Sequence, residues 1–342
     1  MKKLIALLLA LVMVVGLVAC GAKEEAAAPA ATEAAPAATE AATEAATDAA
    51  PEAAPEADGE VHKVAFICGG VNEWNQDLFE QAQEEAAARG WETNMLASDH
   101  DLQKESDIIL NCVTQGYDAI VLQPSNTAAA APAMREAAEA GVLVISLISI
   151  DPELGLGDVV KEVAFDQFGV GVASAEAFVK IAGESGKVAI LTGKPGAENS
   201  EGRTNGNKSV LDQYPGYEVV QVTACSWDRQ QAMAAAEDIM TANPDLTAFL
   251  VHDDSMAIGV YEAIKAAGKE DTVKIASLGL TEEGAKYIKE GKFLCSVSFP
   301  AGCFATPCFE MLDELLATGK IEKDYKVGYY PVTIDNVDEA EW

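Results

Sequence analysis

The stretch KVAFICGGVNEWNQDLFEQAQEEAAARGWETNML, from Lys63 to Leu96, contains a strand, a helix and a second strand in succession. Its opening, KVAFICG, is a near-continuous apolar run, typical of a strand that is covered on both faces. Helical periodicity follows from Trp74 to Arg89 and stops at Gly90, and WETNML is the next strand. This order is the repeating unit of a parallel sheet, so the stretch predicts an α/β fold.

The same unit recurs along the chain in two sets. Further apolar runs in the first set lie at residues 118–124 and 142–148. After a break at residues 149–160 the runs resume at 162–166, 187–193, 217–224, 246–252, 273–279 and 293–299. A last helix, predicted from Ala305 to Thr318, precedes a short strand within residues 327–335. The interruption predicts two doubly wound parallel-sheet lobes rather than one sheet.

The first 60 residues have a different character. Residues 1–19 are two lysines and an apolar run, which predicts a secretion signal peptide. The segment ends in Leu-Val-Ala-Cys and resembles the lipobox of bacterial lipoproteins, which implies lipidation at Cys20; an ordinary cleaved signal that contains a cysteine is the alternative. From Cys20 to Glu60 the composition is alanine, proline, threonine and glutamate, which predicts a disordered linker.

The charge of the chain limits its partners. The formal net charge is −32, and it is still −25 without the two lysines of the apolar run and the ten acids and one lysine of residues 21–60. So acidic a surface argues against binding nucleic acid or anionic lipid. We therefore expect contact with the membrane through the lipid anchor only, in an extracytoplasmic location.

Six cysteines follow Cys20, and their spacing contains no Cys-x-x-Cys pair. No histidine stands at metal-ligand spacing from them, so we expect no metal site and no cofactor. Most lie inside apolar strand or helix patterns, where cysteine behaves as a small buried hydrophobe. Their disulfide pairing stays open.

Candidate ligand-binding residues follow the ends of the predicted strands. In open parallel sheets the loops that leave the carboxyl ends of the strands gather at one edge, and ligands bind there. Amides, carboxylates and arginine suit the hydroxyl rim of a sugar, and flat rings suit its two faces. Trp74 and Trp227 could cover opposite faces of one ring, although packing of Trp74 into the core is an equal alternative. The predicted ligand-binding residues are Asn72, Trp74, Asn75, Gln123, Arg203, Trp227, Asp253 and Phe299.

A family resemblance rests on five segments: NEWN, QGYDAIVLQPSNT, GKPGAENSEGRTNG, ACSWDRQQA and VHDDSMAIGVYEAIKAAG. Together they resemble the ribose-binding-protein branch of the type I periplasmic binding proteins, from Lys63 to about Ile334. The resemblance implies a hinge that the chain crosses three times, near Ala164, residues 299–301 and Tyr325. It implies an N-terminal lobe of residues 61–164 and 301–325, and a C-terminal lobe of residues 165–300 and 326–342.

The resemblance also assigns roles and shows departures. It places Asn72 on a sugar hydroxyl, Trp74 and Trp227 on the sugar faces, and Arg203 and Asp253 among the polar contacts. The acid and arginine of the family's clamp fall near Ile148 and Ser149, a late aspartate falls on Gly279, and the hinge glutamine falls on Phe299. These losses imply a more apolar pocket than that of a ribose receptor. Another pentose, a hexose, a polyol, a deoxysugar and a small furanose-like signal remain open as ligands.

The function implied is that of a monomeric sugar-binding lipoprotein whose lobes close on a small carbohydrate and present it to an ABC transporter permease. A subunit that presents its ligand to a membrane receptor or kinase is the alternative. An enzyme is disfavoured because no Walker loop, G-x-S-x-G or HExxH motif occurs. The acids next to His252 are better explained by Asp254 capping the following helix. A sugar-responsive repressor is disfavoured by the exported amino terminus and the lack of a helix-turn-helix segment.

Overall fold

The computed structural model of the protein describes residues 61–321 and 323–341. The predicted signal peptide at residues 1–19, the lipidated Cys20 and the linker of residues 20–60 lie outside the described residues.

Strands and helices alternate along most of this part of the chain. The strands are β1 Lys63–Cys68, β2 Glu92–Ala97, β3 Ala119–Leu122, β4 Leu143–Ser146, β5 Val160–Ala164, β6 Ser185–Thr192, β7 Gly216–Ala224, β8 Ala248–Val251, β9 Lys274–Ala276, β10 Cys295–Ser298, β11 Tyr325–Lys326 and β12 Tyr330–Thr333. The α-helices are α1 Glu73–Arg89, α2 Leu102–Thr114, α3 Thr127–Glu139, α4 Gln167–Ala182, α5 Glu198–Leu211, α6 Arg229–Ala242, α7 Asp254–Ala266, α8 Glu282–Lys289 and α9 Gly302–Thr318. Short 3₁₀ helices occupy Pro152–Leu154 and Val337–Glu339.

The strands form two six-stranded sheets, one in each lobe. Their orders are β11-β5-β4-β3-β1-β2 and β12-β10-β9-β8-β6-β7. All neighbours are parallel except β12, which runs antiparallel to β10. The chain passes from one sheet to the other after β5, after β10 and after β11. The predicted fold, two parallel-sheet α/β lobes joined by three crossings, is confirmed.

Each sheet is buried on both faces, as the apolar runs predicted. In β1, Val64 and Phe66 pack into one cluster with α1 and α9, and Ala65 and Ile67 pack into another with α2 and α3. The second sheet likewise separates two apolar clusters. The strands are thus held rigidly, and their carboxyl ends form a fixed base for the loops that follow them.

Helix α9 returns to the first lobe late in the chain. Its Asp313 accepts a hydrogen bond from Arg89 at 2.8 Å, its Thr306 bonds to Glu85, and Phe309 stacks on Phe66. The helix begins three residues earlier than the predicted Ala305, so it starts almost directly after the second crossing. The lobe boundaries at residues 164/165, 300/301 and 325/326 stay predictions.

Several general features concern the described ranges only. No helix there is long and apolar enough to cross a membrane. No group of three or more histidine, cysteine or acidic side chains is arranged there to hold a metal ion.

The six cysteines after Cys20 all carry free thiols, and burial raises the pKa of the Cys68, Cys112 and Cys225 thiols to about 11. At neutral pH these three thiols are protonated and unreactive.

Candidate ligand-binding site

A cavity of about 400 Å³ lies between the carboxyl edges of the two sheets. Its volume is within the range of small-molecule pockets, about 300 to 1,000 Å³. Side chains from both lobes line it. All of the predicted ligand-binding residues reach this one cavity: Asn72, Trp74, Asn75, Gln123, Arg203, Trp227, Asp253 and Phe299. The structure therefore brings the predicted set together, and the role of each residue in binding stays a prediction.

The first turn of α1 places three of these residues. Asn72 caps the helix, and its Oδ1 accepts a hydrogen bond from the Asn75 backbone N–H at 2.9 Å. Asn75 donates its side-chain N–H to the Gly70 carbonyl at 2.8 Å, which fixes the preceding loop. Trp74 packs edge-on against Phe304 with ring centroids 5.2 Å apart. The indole thus packs against the protein and also lines the cavity, and its stacking on a ligand stays a prediction.

Arg203 reaches the cavity because α4 and α5 pack unusually closely. A Cβ at Gly171 would overlap the Arg203 backbone, and one at Gly206 would overlap the Phe168 carbonyl, so glycine is required at both contacts. Arg203 is 6% exposed. It donates from Nε to Gln167 Oε1 at 2.9 Å and from Nη1 to the His252 carbonyl at 2.7 Å.

Arg203 remains positively charged although it is buried. Desolvation lowers the pKa of the guanidinium to about 10, and the nearby Asp253 carboxylate partly opposes the shift. At neutral pH the group therefore remains a cation. Its carbon lies 5.6 Å from the Trp227 ring centroid and 5.2 Å from that of Phe299. A cation so poorly hydrated is well placed to donate strong hydrogen bonds to a ligand oxygen.

Trp227 stands on an unusual backbone. Its φ is +63° and that of Ser226 is +53°, a region that bulky residues rarely occupy. The indole lies against Gly193, where a Cβ would overlap the ring. A strained backbone that presents a large ring to a cavity is typical of ligand sites.

The adjacent acids Asp253 and Asp254 have different roles, and one prediction was wrong. Asp253, not Asp254, caps α7, accepting from the Met256 backbone N–H at 2.7 Å. The Asp254 carboxylate is buried and accepts from Ser277, Thr281 and Ser296. Sequence alone did not resolve a one-residue difference in where the helix begins. Burial raises the pKa of Asp254, although these hydrogen bonds oppose the shift.

The positions that depart from the ribose-receptor pattern mostly line the cavity too. Ile148, Gly279 and Phe299 contribute to its wall, whereas Ser149 does not. Gly279 has a φ of +100°, so an aspartate there would be strained.

Sequence reasoning missed other lining residues, among them His100, Phe165, Gln167, Asn199, Asp228, Gln231 and Phe304. Asn199 and Asp228 lie beyond the ends of β6 and β7, at the starts of the helices that follow, and position after a strand was the available signal. Phe165 and Gln167 lie at the first crossing and Phe304 on the late helix, so their placement depends on the hinge.

In the described part of the chain, three hydrogen bonds join loops of the first lobe to the start of α5 and the loop before it. The Lys194 ammonium donates to the His100 carbonyl at 2.6 Å. The Asn126 amide donates to the Gly196 carbonyl at 3.1 Å, and the Thr127 backbone N–H donates to Glu198 at 2.9 Å. Lys194 and Gly196 lie on the loop that leads into α5, and Glu198 is the first residue of that helix, which carries Arg203. These contacts between the lobes are therefore made at the amino-terminal end of α5, the helix that carries the buried Arg203.

His252 is a buried imidazole directly after β8. It is fully buried, and neither ring nitrogen has a hydrogen-bond partner among the described residues. Burial lowers the pKa of this histidine well below its usual 6.5, and the Arg203 charge lowers it further. The folded protein therefore holds the ring neutral, whereas the unfolded chain binds a proton below about pH 6.5.

This difference predicts sensitivity to acid. Above about pH 6.5 this histidine is neutral in both the folded and the unfolded protein. As the pH falls below 6.5, only the unfolded chain binds the proton, so the free energy of unfolding decreases by about 1.4 kcal/mol per pH unit. We expect His252→Leu to remove this pH dependence, while the backbone carbonyl of residue 252 still accepts a hydrogen bond from Arg203. Urea unfolding of both proteins between about pH 7.5 and pH 5.5 measures it. Parallel stability curves for the two proteins would contradict the assignment.

Comparisons with known proteins cover both lobes. A family model described as periplasmic binding protein domain matches residues 64–321. The D-apiose import binding protein of Paraburkholderia graminis is 29% identical over 246 residues, which cover 72% of this chain and 78% of that protein. The ribose import binding protein of Bacillus subtilis is 27% identical over 241 residues, covering 70% and 77%. An ABC transporter solute binding protein from Bacillus halodurans, solved with myo-inositol, has a TM-score of 0.76 at 25% identity and covers 82% of this chain and 98% of its own.

Proposed function

This chain belongs to the family of periplasmic binding protein domains, and on that premise we propose that it is an extracytoplasmic solute-binding protein for a small carbohydrate. It captures the sugar between its two lobes and delivers it to the permease of an ABC transporter. It is a binding protein and not an enzyme. A lipid on Cys20 anchors it to the membrane, and residues 21–60 act as the tether.

The observation that carries this proposal is the composition of the cavity. Amides, a carboxylate and a buried arginine come together there with two tryptophans, and all of them follow the carboxyl ends of strands. A sugar needs both kinds of group, since its hydroxyl rim takes charge-assisted hydrogen bonds and its C–H faces take aromatic rings. The names of the apiose and ribose import relatives support the same ligand class.

Binding by closure follows from the contacts between the lobes. When the lobes close about the crossings, the rim hydrogen bonds of Lys194, Asn126 and Thr127 exclude water from the sugar. A micromolar dissociation constant corresponds to about 8 kcal/mol, which stacked rings and several hydrogen bonds can supply. One chain contributes the whole cavity, so we propose that it acts as a monomer.

A thermal-shift screen tests the ligand class. The purified protein is heated with pentoses, hexoses, deoxysugars, polyols, nucleosides or amino acids in turn. A ligand at a hundred times its dissociation constant adds about 2.7 kcal/mol to stability, so we expect one sugar class to raise the midpoint by about 5 °C or more. A shift with amino acids or nucleosides and with no carbohydrate would contradict the proposal.

Transport and signalling are separated by a growth experiment. A strain that lacks this protein should lose uptake of the sugar identified in the screen and regain it with the intact gene. Normal uptake together with a lost transcriptional response to the sugar would instead support a subunit that presents the ligand to a membrane receptor or kinase.

A further inference from the structure

The polarity of the cavity is divided according to strand order. The crossings leave from β5, β10 and β11, and these strands lie with β12 at one edge of the two sheets, the hinge edge. Among the lining residues that follow β4, β5, β9 and β10, Gln167 and Thr281 are polar. The apolar ones just beyond the strand ends are Leu147, Ile148, Phe165, Leu278, Gly279 and Phe299. We call this set the hinge-side wall. Asn72, Gln123, Arg203, Asp228 and Asp253 instead follow β1, β3, β6, β7 and β8, away from the hinge.

The hinge-side wall is continuous across the two lobes. Phe165 of the first crossing and Phe299 of the second stack with ring centroids 4.6 Å apart. Phe304 of α9 lies edge-on to Phe165 at 5.5 Å. The carbons of Leu147 and Leu278 extend the wall into the first and second lobe. A ligand group that enters this side therefore meets carbon from both lobes.

The backbone of the hinge-side wall offers a ligand few hydrogen bonds. The Ser146 hydroxyl donates to the Ile148 carbonyl at 2.6 Å and accepts from the Ile148 N–H at 3.2 Å. The Gly279 N–H donates to the Val297 carbonyl at 2.9 Å. The Trp74 indole N–H lies 3.5 Å from the Phe299 carbonyl, which it donates to.

Polar side chains near the wall are also engaged with the protein. Gln167 Oε1 accepts from Arg203, and the Thr281 hydroxyl donates to Asp254 and accepts from the Gly284 N–H. A hydroxyl that lies against Ile148, Leu278 and Phe299 would therefore lose water and meet few groups that can hydrogen-bond to it.

The opposite side of the cavity offers open polar groups. Arg203 uses Nε and Nη1 within the protein, and its Nη2 makes no hydrogen bond with the described residues. The side-chain amide of Gln123, which follows β3, also lines this side of the cavity. These two groups can donate to and accept from ligand hydroxyls.

We infer that the cavity selects a deoxysugar, a monosaccharide with one methyl-bearing edge. Its methyl group lies against Ile148, Leu278 and Phe299 on the hinge-side wall, and its hydroxyls meet Gln123 and Arg203 on the other side. This inference rests on the proposed function and narrows its ligand class. The parent sugar, with a hydroxyl in place of one hydrogen of that methyl group, binds more weakly because the hydroxyl loses water against carbon.

Matched pairs of sugars test the inference by calorimetry on the purified protein. The pairs are D-fucose with D-galactose, L-rhamnose with L-mannose, 6-deoxy-D-allose with D-allose, and 5-deoxy-D-ribose with D-ribose. In the pair that binds best, we expect the deoxy member to bind about ten- to a hundredfold more tightly. Equal or tighter binding of the parent sugars overturns the inference and leaves the proposed function standing. Failure of all eight sugars and of every other carbohydrate in the thermal screen overturns both.

Two variants of Ile148 show whether the wall itself sets the preference. Ile148→Thr and Ile148→Val remove similar volume, but only threonine adds a hydroxyl. We expect Ile148→Val to keep the preference for the deoxy sugar and Ile148→Thr to reduce it about fivefold relative to valine. Equal preferences in the two variants overturn the role of the wall, provided that both show a single cooperative thermal transition.

Discussion

Replacing Arg203 with methionine weakens binding of the preferred sugar by about a hundredfold. Methionine keeps most of the side-chain length but removes the donors to the ligand, to Gln167 and to the His252 carbonyl. A hydrogen bond that involves a charged group contributes about 1.5 to 3 kcal/mol, which corresponds to a ten- to hundredfold change. Asp253 also loses the cation that faces it. Isothermal titration calorimetry with the sugar that gives the largest thermal shift measures the effect.

Two further variants test whether the positive charge of Arg203 is sufficient for binding or whether the planar guanidinium is needed. Arg203→Lys keeps the charge but cannot donate in two directions from one plane, so we expect it to bind nearly as poorly as methionine. Arg135→Met changes a half-buried arginine of the first lobe whose hydrogen bonds to described residues go to the Leu154 and Gly155 carbonyls. We expect this control to bind normally. Binding by Arg203→Met within threefold of the unchanged protein would show that the cation makes no contact with the ligand.

The alternation of strands and helices was predictable because its signals are local. The helix α1 ends at Gly90 with a φ of +71°, and its capping N–H donates to the carbonyls of the last turn. Such a cap is determined by one glycine and the few residues before it. Apolar runs buried on both faces similarly identify parallel strands. Neither signal depends on distant parts of the chain.

The crossings between the lobes could not be derived from these local signals. The return of α9 to the first lobe depends on contacts between residues more than 220 positions apart, such as Arg89 with Asp313. Pairing of the two-residue strand β11 with β5 also joins segments that are far apart in sequence. Only the resemblance to a known family predicted them. Phe165, Gln167 and Phe304 were missed for the same reason, since the crossings bring them to the cavity.

The positions of the site residues were predictable where they follow from the order of the strands. The burial of a side chain was not predictable where it depends on how two helices pack. Residues that follow parallel strands must gather at one edge, so Asn72, Gln123 and Trp227 were expected to lie together, and they line one cavity. The burial of Arg203 was not expected, because α5 is polar and rich in glycine. It results from the close approach of α4, which only the glycines at the contact allow.

Replacing Trp227 with alanine weakens sugar binding by about ten- to a hundredfold. The variant removes an aromatic face of the cavity, and burying one large apolar side chain against a ligand is worth about 1.5 to 3 kcal/mol. The Arg203 guanidinium, 5.6 Å from that ring centroid, also loses an aromatic neighbour. Trp227→Phe retains part of the ring surface and should bind with intermediate affinity. Calorimetry that gives equal affinities for the alanine variant and the unchanged protein would exclude contact between the indole and the sugar.

Glycine at the same position separates the ring from the backbone that carries it. At a φ of +63° every residue with a Cβ is strained by about 1 to 2 kcal/mol, and glycine is not. The greater freedom of glycine in the unfolded chain costs about 0.5 to 1 kcal/mol. Trp227→Gly should therefore bind sugar as poorly as Trp227→Ala but be more stable to urea by about 0.5 to 1 kcal/mol. If the alanine variant is the more stable of the two, the backbone at Trp227 is not strained. If the glycine variant is more stable, the backbone that holds the indole against the ligand lowers the free energy of unfolding of the protein.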